Sequence, residues 1–206
     1  DSALNTSNQA SGIVIFNAPP TFSSNNAQET AIIVNGTPNI NSSLECIASP
    51  VDPDEEEGLE ISYIWNNITQ NLEIGTISTI DLSLHDVLPN DIIECSVHAT
   101  DVRGGFTTSH DQIEIENRNP ESNGIQIHVE GNQLHCEATF SDLDEDELDI
   151  TYQWMWVGTE SVVGIDAFLN LSSLNFSSGD EIQCQSLAID IWGASTTQAT
   201  TLQIGE

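Results

Sequence analysis

The sequence predicts an all-β fold made of two tandem antiparallel β-sandwiches preceded by an extra N-terminal β-strand. Apolar and polar residues alternate over short segments that end at turn residues, and this period of two is typical of strands with one buried face. The pattern then repeats, because the second pair of cysteines follows the first at offsets of 90 and 89 residues. A repeat of this size indicates two small sandwiches with one core each. No segment shows the period of an amphipathic helix.

The first predicted element is a strand that copies a later one. Residues 11–20, SGIVIFNAPP, align with residues 111–120, DQIEIENRNP, and the later segment closes a sandwich. The first copy has no sandwich of its own to close, and an unpaired strand presents open backbone donors and acceptors. We therefore predict a donor strand that seeks another sheet edge, formed by Ile13, Val14, Ile15 and Phe16.

The strands that follow are predicted to form three inward-facing rows in each repeat. In the first repeat the rows are Leu44/Cys46/Ala48, Ile61/Tyr63/Trp65 and Ile93/Cys95/Val97/Ala99. In the second repeat they are Leu134/Cys136/Ala138/Phe140, Ile150/Tyr152/Trp154 and Ile182/Cys184/Ala188. The rows divide the chain into an N-terminal extension, residues 1–20, and two predicted domains, residues 21–119 and 120–206.

The cysteines are predicted to form one bridge in each domain. Of the possible connectivities, Cys46–Cys95 and Cys136–Cys184 respect the repeat. Each bridge closes a loop of about 50 residues, which is worth about 4 kcal/mol if the stabilisation is entropic. A metal site is the alternative, but the spacing contains neither CxxC nor histidine ligands. Because disulfides persist in oxidising compartments, we expect an extracellular protein.

The charge of the chain excludes several classes of partner. It holds 33 acidic residues against 2 basic ones, for a net charge of −31. Nucleic-acid binding needs a basic face, and an anionic membrane surface repels such a chain, so both are excluded. No apolar stretch is long enough for a transmembrane helix. Cations, cationic surfaces and further copies joined through a metal are the partners that this charge favours.

The sequence resembles the core of immunoglobulin-like domains, which have a cysteine on an early strand, a tryptophan on the third strand and a cysteine on a late strand. Cys46, Trp65 and Cys95 carry this pattern in the first repeat. A closer resemblance is to the PKD-like and cadherin-like tandem repeats of bacterial and archaeal extracellular surface proteins, and residues 141–154, SDLDEDELDITYQW, carry it best. The resemblance implies an adhesive or fibrous protein of the cell surface, and no enzymatic activity.

An acidic insert stands between the second and third strands of each repeat, DPDEEE at residues 52–57 and DLDEDE at residues 142–147. Ca²⁺ takes about six to eight oxygen ligands in a flexible geometry, and neither insert has the glycine of an EF-hand loop. The resemblance implies Ca²⁺ as a cofactor, with ligands at Asp52, Asp54, Asp101, Asp142, Asp144 and Asp190. The alternative is a solvated acidic loop that keeps the protein soluble.

Several other residues are candidates for surface roles. Trp156 and Trp192 replace polar residues of the first repeat, so they either contact a sugar or a neighbouring subunit or are partly buried. The five histidines share no partner across the repeats, so the sequence offers no catalytic residues. Asn-x-Ser/Thr sequons indicate either chance in an Asn- and Ser-rich chain or a glycosylated surface. They occur at Asn5, Asn35, Asn41, Asn67, Asn170 and Asn175.

These features predict a structural subunit of an extracellular cell-surface filament or array that forms a homopolymer. The mechanism is donation of the N-terminal strand to a neighbouring subunit, with main-chain hydrogen bonds providing the strength. The alternative is a fragment of a tandem-repeat adhesin that binds a cell-surface or carbohydrate ligand. A carbohydrate-binding module that uses Trp156 and Trp192 is a third interpretation.

Overall fold

A computed structural model describes residues 16–22, 31–34, 37–54, 58–159 and 161–205. The described residues form two compact units. The first unit contains those of Asp1–Gly36, Ser43–Asp81 and Ile92–Ile113, and the second contains those of Thr37–Ser42, Leu82–Asp91 and Glu114–Glu206.

Main-chain hydrogen bonds explain why two early segments belong to the second unit. The amide of Glu116 donates to the carbonyl of Pro38 at 2.7 Å, and the amide of Ile115 donates to the carbonyl of Asp91 at 2.9 Å. These bonds join Thr37–Ser42 and Leu82–Asp91 to the segment that begins at Glu114. The domain boundary between residues 119 and 120 stays a prediction.

The strands of the first unit form one sheet of three strands and one of four. They are β1 (Thr21–Phe22), β2 (Ile32–Val34), β3 (Ser43–Ile47), β4 (Pro50–Val51), β5 (Glu60–Asn67), β6 (Leu72–Gly75), β7 (Thr79–Asp81), β8 (Ile92–Thr100) and β9 (Phe106–Glu114). The sheets have the orders β2-β3-β7 and β6-β5-β8-β9, and β1 pairs separately with β4. The pairing of β5 with β6 and β8 is antiparallel, as is that of β3 with β2 and β7.

The core of the first unit contains a disulfide and a tryptophan. Cys46 on β3 is bonded to Cys95 on β8, with 6.4 Å between their Cα atoms, so the bridge joins the two sheets. Trp65 on β5 is opposite Cys95 in the strand register and is fully buried. Its indole N–H donates to the carbonyl of Ile77 at 2.8 Å, which satisfies the one polar atom that the side chain brings into the core.

The second unit has the same sheet orders. Its strands are β10 (Glu121–Glu130), β11 (Gln133–Ser141), β12 (Leu148–Trp156), β13 (Val162–Gly164), β14 (Phe168–Asn170), β15 (Glu181–Asp190) and β16 (Ser195–Gln203). They form the sheets β10-β11-β14 and β13-β12-β15-β16. Every pairing recorded for these strands is antiparallel.

The core of the second unit is built in the same way as that of the first. Cys136 on β11 is bonded to Cys184 on β15 across 6.4 Å between Cα atoms. Trp154 is opposite Cys184 and is fully buried, and its indole N–H donates to the carbonyl of Asp166 at 2.8 Å. The predicted fold of immunoglobulin-like antiparallel sandwiches is therefore confirmed, and so are both predicted disulfides.

The candidate donor strand falls almost entirely outside the described residues. Ile13, Val14 and Ile15 lie there, and Phe16, where the description begins, is 82% exposed. The strand that it copies in sequence is β9, which lies within the described residues. The end of β9 precedes Asn117 in the way that residues 11–16 precede Asn17. The role of Ile13–Phe16 stays a prediction.

Candidate metal centres at the acidic loops

The acidic loop of the second unit, residues 142–147, connects β11 to β12. The amide of Asp144 donates to Oδ1 of Asp142 at 2.7 Å, and Glu145 adopts a φ of 63°, so the chain turns back on its first carboxylate. As a result Asp142, Asp144 and Asp146 converge, with one carboxylate oxygen of each within 4.8 Å of the others. Three like charges at this separation repel one another strongly unless a cation lies among them.

Asp190 ends β15 and organises both the next turn and a distant side chain. Its Oδ1 accepts the amides of Trp192 at 2.8 Å and Ala194 at 2.9 Å. Its Oδ2 accepts the side-chain N–H of Asn117 at 2.9 Å. An ionised carboxylate can only accept, so Asn117 must direct its NH₂ group to Asp190 and its Oδ1 elsewhere. Asp190 thereby orients Asn117.

Arg118 binds Asp144 through both its main chain and its side chain. The amide of Arg118 donates to Oδ2 of Asp144 at 2.7 Å. Its guanidinium Nε and Nη2 donate to Oδ1 of the same carboxylate at 2.8 and 2.6 Å, and Nη2 also reaches the carbonyl of Leu143 at 2.6 Å. The side chain of Asp144 has no exposed surface, and both of its oxygens are occupied.

Five buried side-chain oxygens have no hydrogen-bond partner in the part of the chain that the structure describes. Three are in the second unit, Asn117 Oδ1, Asp142 Oδ2 and Asp146 Oδ2, and two are in the first, Asn17 Oδ1 and Asp52 Oδ2. All five are acceptors, and all belong to the acidic loops or to the asparagine beside them. A buried acceptor without a donor costs about 1–3 kcal/mol, and one cation can satisfy several such oxygens at once. The donor set therefore fits a hard cation.

The environment of Asp146 opposes its ionised form. Burial raises the pKa of Asp146 above its ordinary value near 3.8, the indole N–H of Trp192 acts against this, and the charges of Asp142, Asp190 and Asp144 raise the pKa further. A raised pKa in the folded state means that the stability contributed by Asp146 is present below about pH 3.8 and is lost as the pH rises through the folded pKa. At neutral pH the loop is therefore strained by its own charge, and a bound cation would relieve that strain.

The first unit repeats this arrangement around Asp52 and Asp54. The amide of Asp54 donates to Oδ1 of Asp52 at 2.8 Å, and Oδ2 of Asp54 accepts the amide of Ala18 at 2.7 Å. Glu55, Glu56 and Glu57 of the same loop lie outside the described residues. Ala18 thus takes the place that Arg118 has in the second unit, without its guanidinium.

Asp101 of the first unit holds Asn17 in the way that Asp190 holds Asn117. Its Oδ2 accepts the side-chain N–H of Asn17 at 3.0 Å, and its Oδ1 accepts the amides of Arg103 and Gly105, each at 2.8 Å. Burial acts to raise the pKa of Asp101, but these hydrogen bonds outweigh it and lower the pKa below its ordinary value. The stability that they provide is present above about pH 3.8 and is lost as the pH falls through the lowered pKa.

Of the predicted ligands, the structure brings the carboxylates of Asp142 and Asp144 together, and it divides the roles of the six. Asp142 has a free buried oxygen, as does Asp52, whereas the oxygens of Asp101, Asp144 and Asp190 are engaged in hydrogen bonds. Sequence reasoning missed three residues with free oxygens, Asn17, Asn117 and Asp146. A signal for them was available, because both asparagines recur in the aligned segments 11–20 and 111–120 and Asp146 continues the Asp-x-Asp-x-Asp spacing.

Of the two tryptophans predicted as contact residues, Trp192 contacts the acidic loop of the second unit and Trp156 packs against the core of that unit. Trp192 is 39% exposed, and its indole N–H donates to Oδ1 of Asp146 at 3.2 Å. Trp156 is half-buried and packs against the hydrophobic core. Trp192 is thus part of the acidic site, and its role in contacting a sugar or a subunit stays a prediction.

One of the predicted sequons does not lie at the surface. Asn67 is only 1% exposed, and its Oδ1 accepts the amide of Gln70 at 3.1 Å. It follows Trp65 by two residues on β5, so it points inward, and a glycan at Asn67 is not compatible with this fold. The remaining sequons divide between exposed positions, Asn41, Asn170 and Asn175, and positions outside the described residues, Asn5 and Asn35.

Comparisons with known proteins find likenesses among solved structures and no family. No family model matches the chain, and no curated protein does. A solved structure, the crystal structure of Drosophila N-cadherin EC1-4, is similar to it at 16% sequence identity over 90% of this chain, with a TM-score of 0.31. The chain spans about half the length of that structure, 50%.

Proposed function

We propose that this chain is a structural segment of an extracellular surface protein in which Ca²⁺ binds at the acidic loops, beside the segment leading into each sandwich. The observation that carries the proposal is the set of buried, unpartnered oxygens, all of which belong to these two loops and their asparagines. In the second unit Asn117, Asp142 and Asp146 supply the free oxygens, and Asn17 and Asp52 do so in the first.

The chemistry of the donors favours Ca²⁺ over other cations. Carboxylate and amide oxygens suit hard cations, whereas Zn²⁺ in proteins is bound mainly by sulfur and imidazole nitrogen. Mg²⁺ demands near-ideal octahedral geometry and retains its water, whereas Ca²⁺ accepts irregular sets of ligands from separate segments. The donors of the second unit come from a loop and from a segment 25 residues before it, as Asn117 and Asp142 show.

Calcium is expected to raise the thermal midpoint of the protein, and the Asp146→Asn substitution should reverse the order of stability. In EDTA at neutral pH the variant should unfold at a higher temperature than the wild type, because the charge that strains the loop is gone. With excess Ca²⁺ the wild type should be the more stable, because it retains the ligand. Differential scanning calorimetry in EDTA, Ca²⁺ and Mg²⁺ measures both effects.

Asp149→Asn is the matched control, since it removes one acidic residue of β12 outside the loop. It should leave the response to Ca²⁺ unchanged. If Ca²⁺ does not shift the wild-type midpoint relative to EDTA, the metal part of the proposal is wrong.

Strand donation is the second part of the proposed function. Asn17 and Ala18 are bound to Asp101 and Asp54 as Asn117 and Arg118 are bound to Asp190 and Asp144. The segment before Asn17 aligns in sequence with the end of the closing strand β9. We infer that Ile13–Phe16 completes a sheet of a neighbouring copy, which would link copies into a filament.

Deletion of residues 1–16 is expected to abolish filaments while leaving the calcium response intact. The deletion must stop before Asn17, because Asn17 and Ala18 are bound to the acidic site of the first unit. Electron microscopy and sedimentation measure assembly, and calorimetry measures the response. A point variant, Ile15→Asp, should weaken assembly in the same direction, because a charge does not fit an apolar pocket. Filaments that form unchanged from the deletion variant would exclude strand donation.

The location outside the cell is supported by the covalent chemistry. The Cys46–Cys95 and Cys136–Cys184 bridges are consistent with an oxidising, extracellular environment. None of the described helical segments is long and apolar enough to span a membrane. Attachment to a cell surface and homopolymer formation belong to the proposal.

A further inference from the structure

The two acidic sites differ at one position that their shared pattern makes comparable. Ala18 and Arg118 occupy the same place in the aligned segments 11–20 and 111–120, and both donate their amide to the second aspartate of the loop, at 2.7 Å in each case. Only Arg118 adds a guanidinium at this place. The chain has only 2 basic residues in all, so chance alone is a poor explanation for an arginine at this position.

The guanidinium occupies the carboxylate that a metal would otherwise share. Nε and Nη2 of Arg118 both bind Oδ1 of Asp144, at 2.8 and 2.6 Å, and the side chain of Asp144 is fully enclosed. In the first unit Oδ2 of Asp54 receives the amide of Ala18, a residue that brings no guanidinium of its own. Two nitrogens of one guanidinium thus donate to a single oxygen, and hydrogen bonds between ionised groups are among the strong ones in proteins.

We propose that Arg118 is a built-in cation that holds the segment Asn117–Pro120 on the acidic loop of the second unit without metal, whereas the corresponding segment Asn17–Pro20 depends on bound Ca²⁺. This inference rests on the proposed function for its calcium half alone. The unpartnered oxygens are equivalent at the two sites, Asn17 and Asp52 in the first and Asn117 and Asp142 in the second, so the guanidinium of Arg118 on Asp144 is the difference that carries the division. Metal at the second site therefore relieves the rest of the loop and does not tether the segment.

Hydrogen exchange of the two equivalent amides tests the inference directly. In EDTA the amide of Arg118 should exchange at least about tenfold more slowly than that of Ala18, because the guanidinium holds its acceptor, the carboxylate of Asp144, in place. Ca²⁺ should slow exchange at Ala18 strongly and at Arg118 little. Arg118→Ala should speed exchange at residue 118 in EDTA to the level of residue 18, and Ala18→Arg should slow exchange at residue 18.

Arg103→Ala is the matched control, because it removes the other arginine of the chain from an exposed turn. It should leave exchange at residue 118 unchanged. If Arg118→Ala does not speed exchange at residue 118 in EDTA, or Ala18→Arg does not slow it at residue 18, the role of the guanidinium is overturned. Isothermal titration of the wild type with Ca²⁺ separates the two proposals, since an absence of binding would remove the metal while the EDTA comparison still decides the role of Arg118.

Discussion

Replacement of Cys136 and Cys184 by alanine is expected to lower the free energy of unfolding of the second unit by about 4 kcal/mol. The bridge joins β11 to β15 over a separation of 48 residues and lies fully buried beside Trp154. Without it the unfolded chain regains the freedom that the closed loop removes, and the buried sulfurs leave a small void. For a unit of this size the thermal midpoint should fall by roughly 15–30 °C.

Each unit has its own disulfide, so the loss of one bridge can be compared with the loss of the other in the same chain. Differential scanning calorimetry of the double variant should show an early transition for the second unit and a late one for the first. The matched control, Cys46→Ala with Cys95→Ala, should reverse that order, since this bridge closes a loop of nearly equal length at 49 residues. A single transition that coincides with that of the wild type would contradict the expected contribution of the bridges.

The Trp154→Ala substitution is expected to destabilise the second unit by about 3–5 kcal/mol. Trp154 is fully buried between the two sheets, and its ring packs close to Gly164, where even an added Cβ would lie 3.2 Å from Trp154 Cδ1. Removal of the ring leaves a cavity that β-strands cannot close, and the carbonyl of Asp166 loses its indole donor. Unfolding by urea, followed by circular dichroism, measures the loss.

Trp192→Ala is the control for the loss of an indole group. Its ring is 39% exposed and packs at the rim of the acidic loop, so its removal should cost less than about 1 kcal/mol. A cost for Trp154→Ala no larger than that of Trp192→Ala would show that the core does not depend on the tryptophan.

Much of the fold could be predicted because it depends on local alternation. On β8, Ile93, Cys95, Val97 and Ala99 are all buried and alternate with more exposed neighbours, as the period of two requires. The same alternation places Asn67 on the inward face, because it follows Trp65 by two residues, although it belongs to a sequon. Where a sequon falls on an inward-facing strand position, the alternation of the strand decides whether its asparagine reaches the surface.

The candidate sites could be predicted only in part, because hydrogen bonds between distant segments assign the roles of their oxygens. Asp144 stands in the acidic insert like a ligand, but Arg118, 26 residues away in sequence, occupies both of its oxygens. Asn117 looks like a turn residue, but its bond to Asp190, 73 residues away, leaves its Oδ1 buried and free. Neither fact follows from the spacing of acidic residues.

The sequence by itself determined the strands, the cysteine pairs and the polyanionic character of this protein, because each depends on side-chain parity, on the repeat or on composition. The tertiary structure alone decided which oxygens of the acidic loops are left without a donor. That property depends on the approach of three separate segments to within hydrogen-bond distance, 2.6–2.9 Å at Asp144 and Asp190. Since only folding brings the segments together, the sequence indicates where acidic side chains gather and the fold selects which of their oxygens stay without a donor.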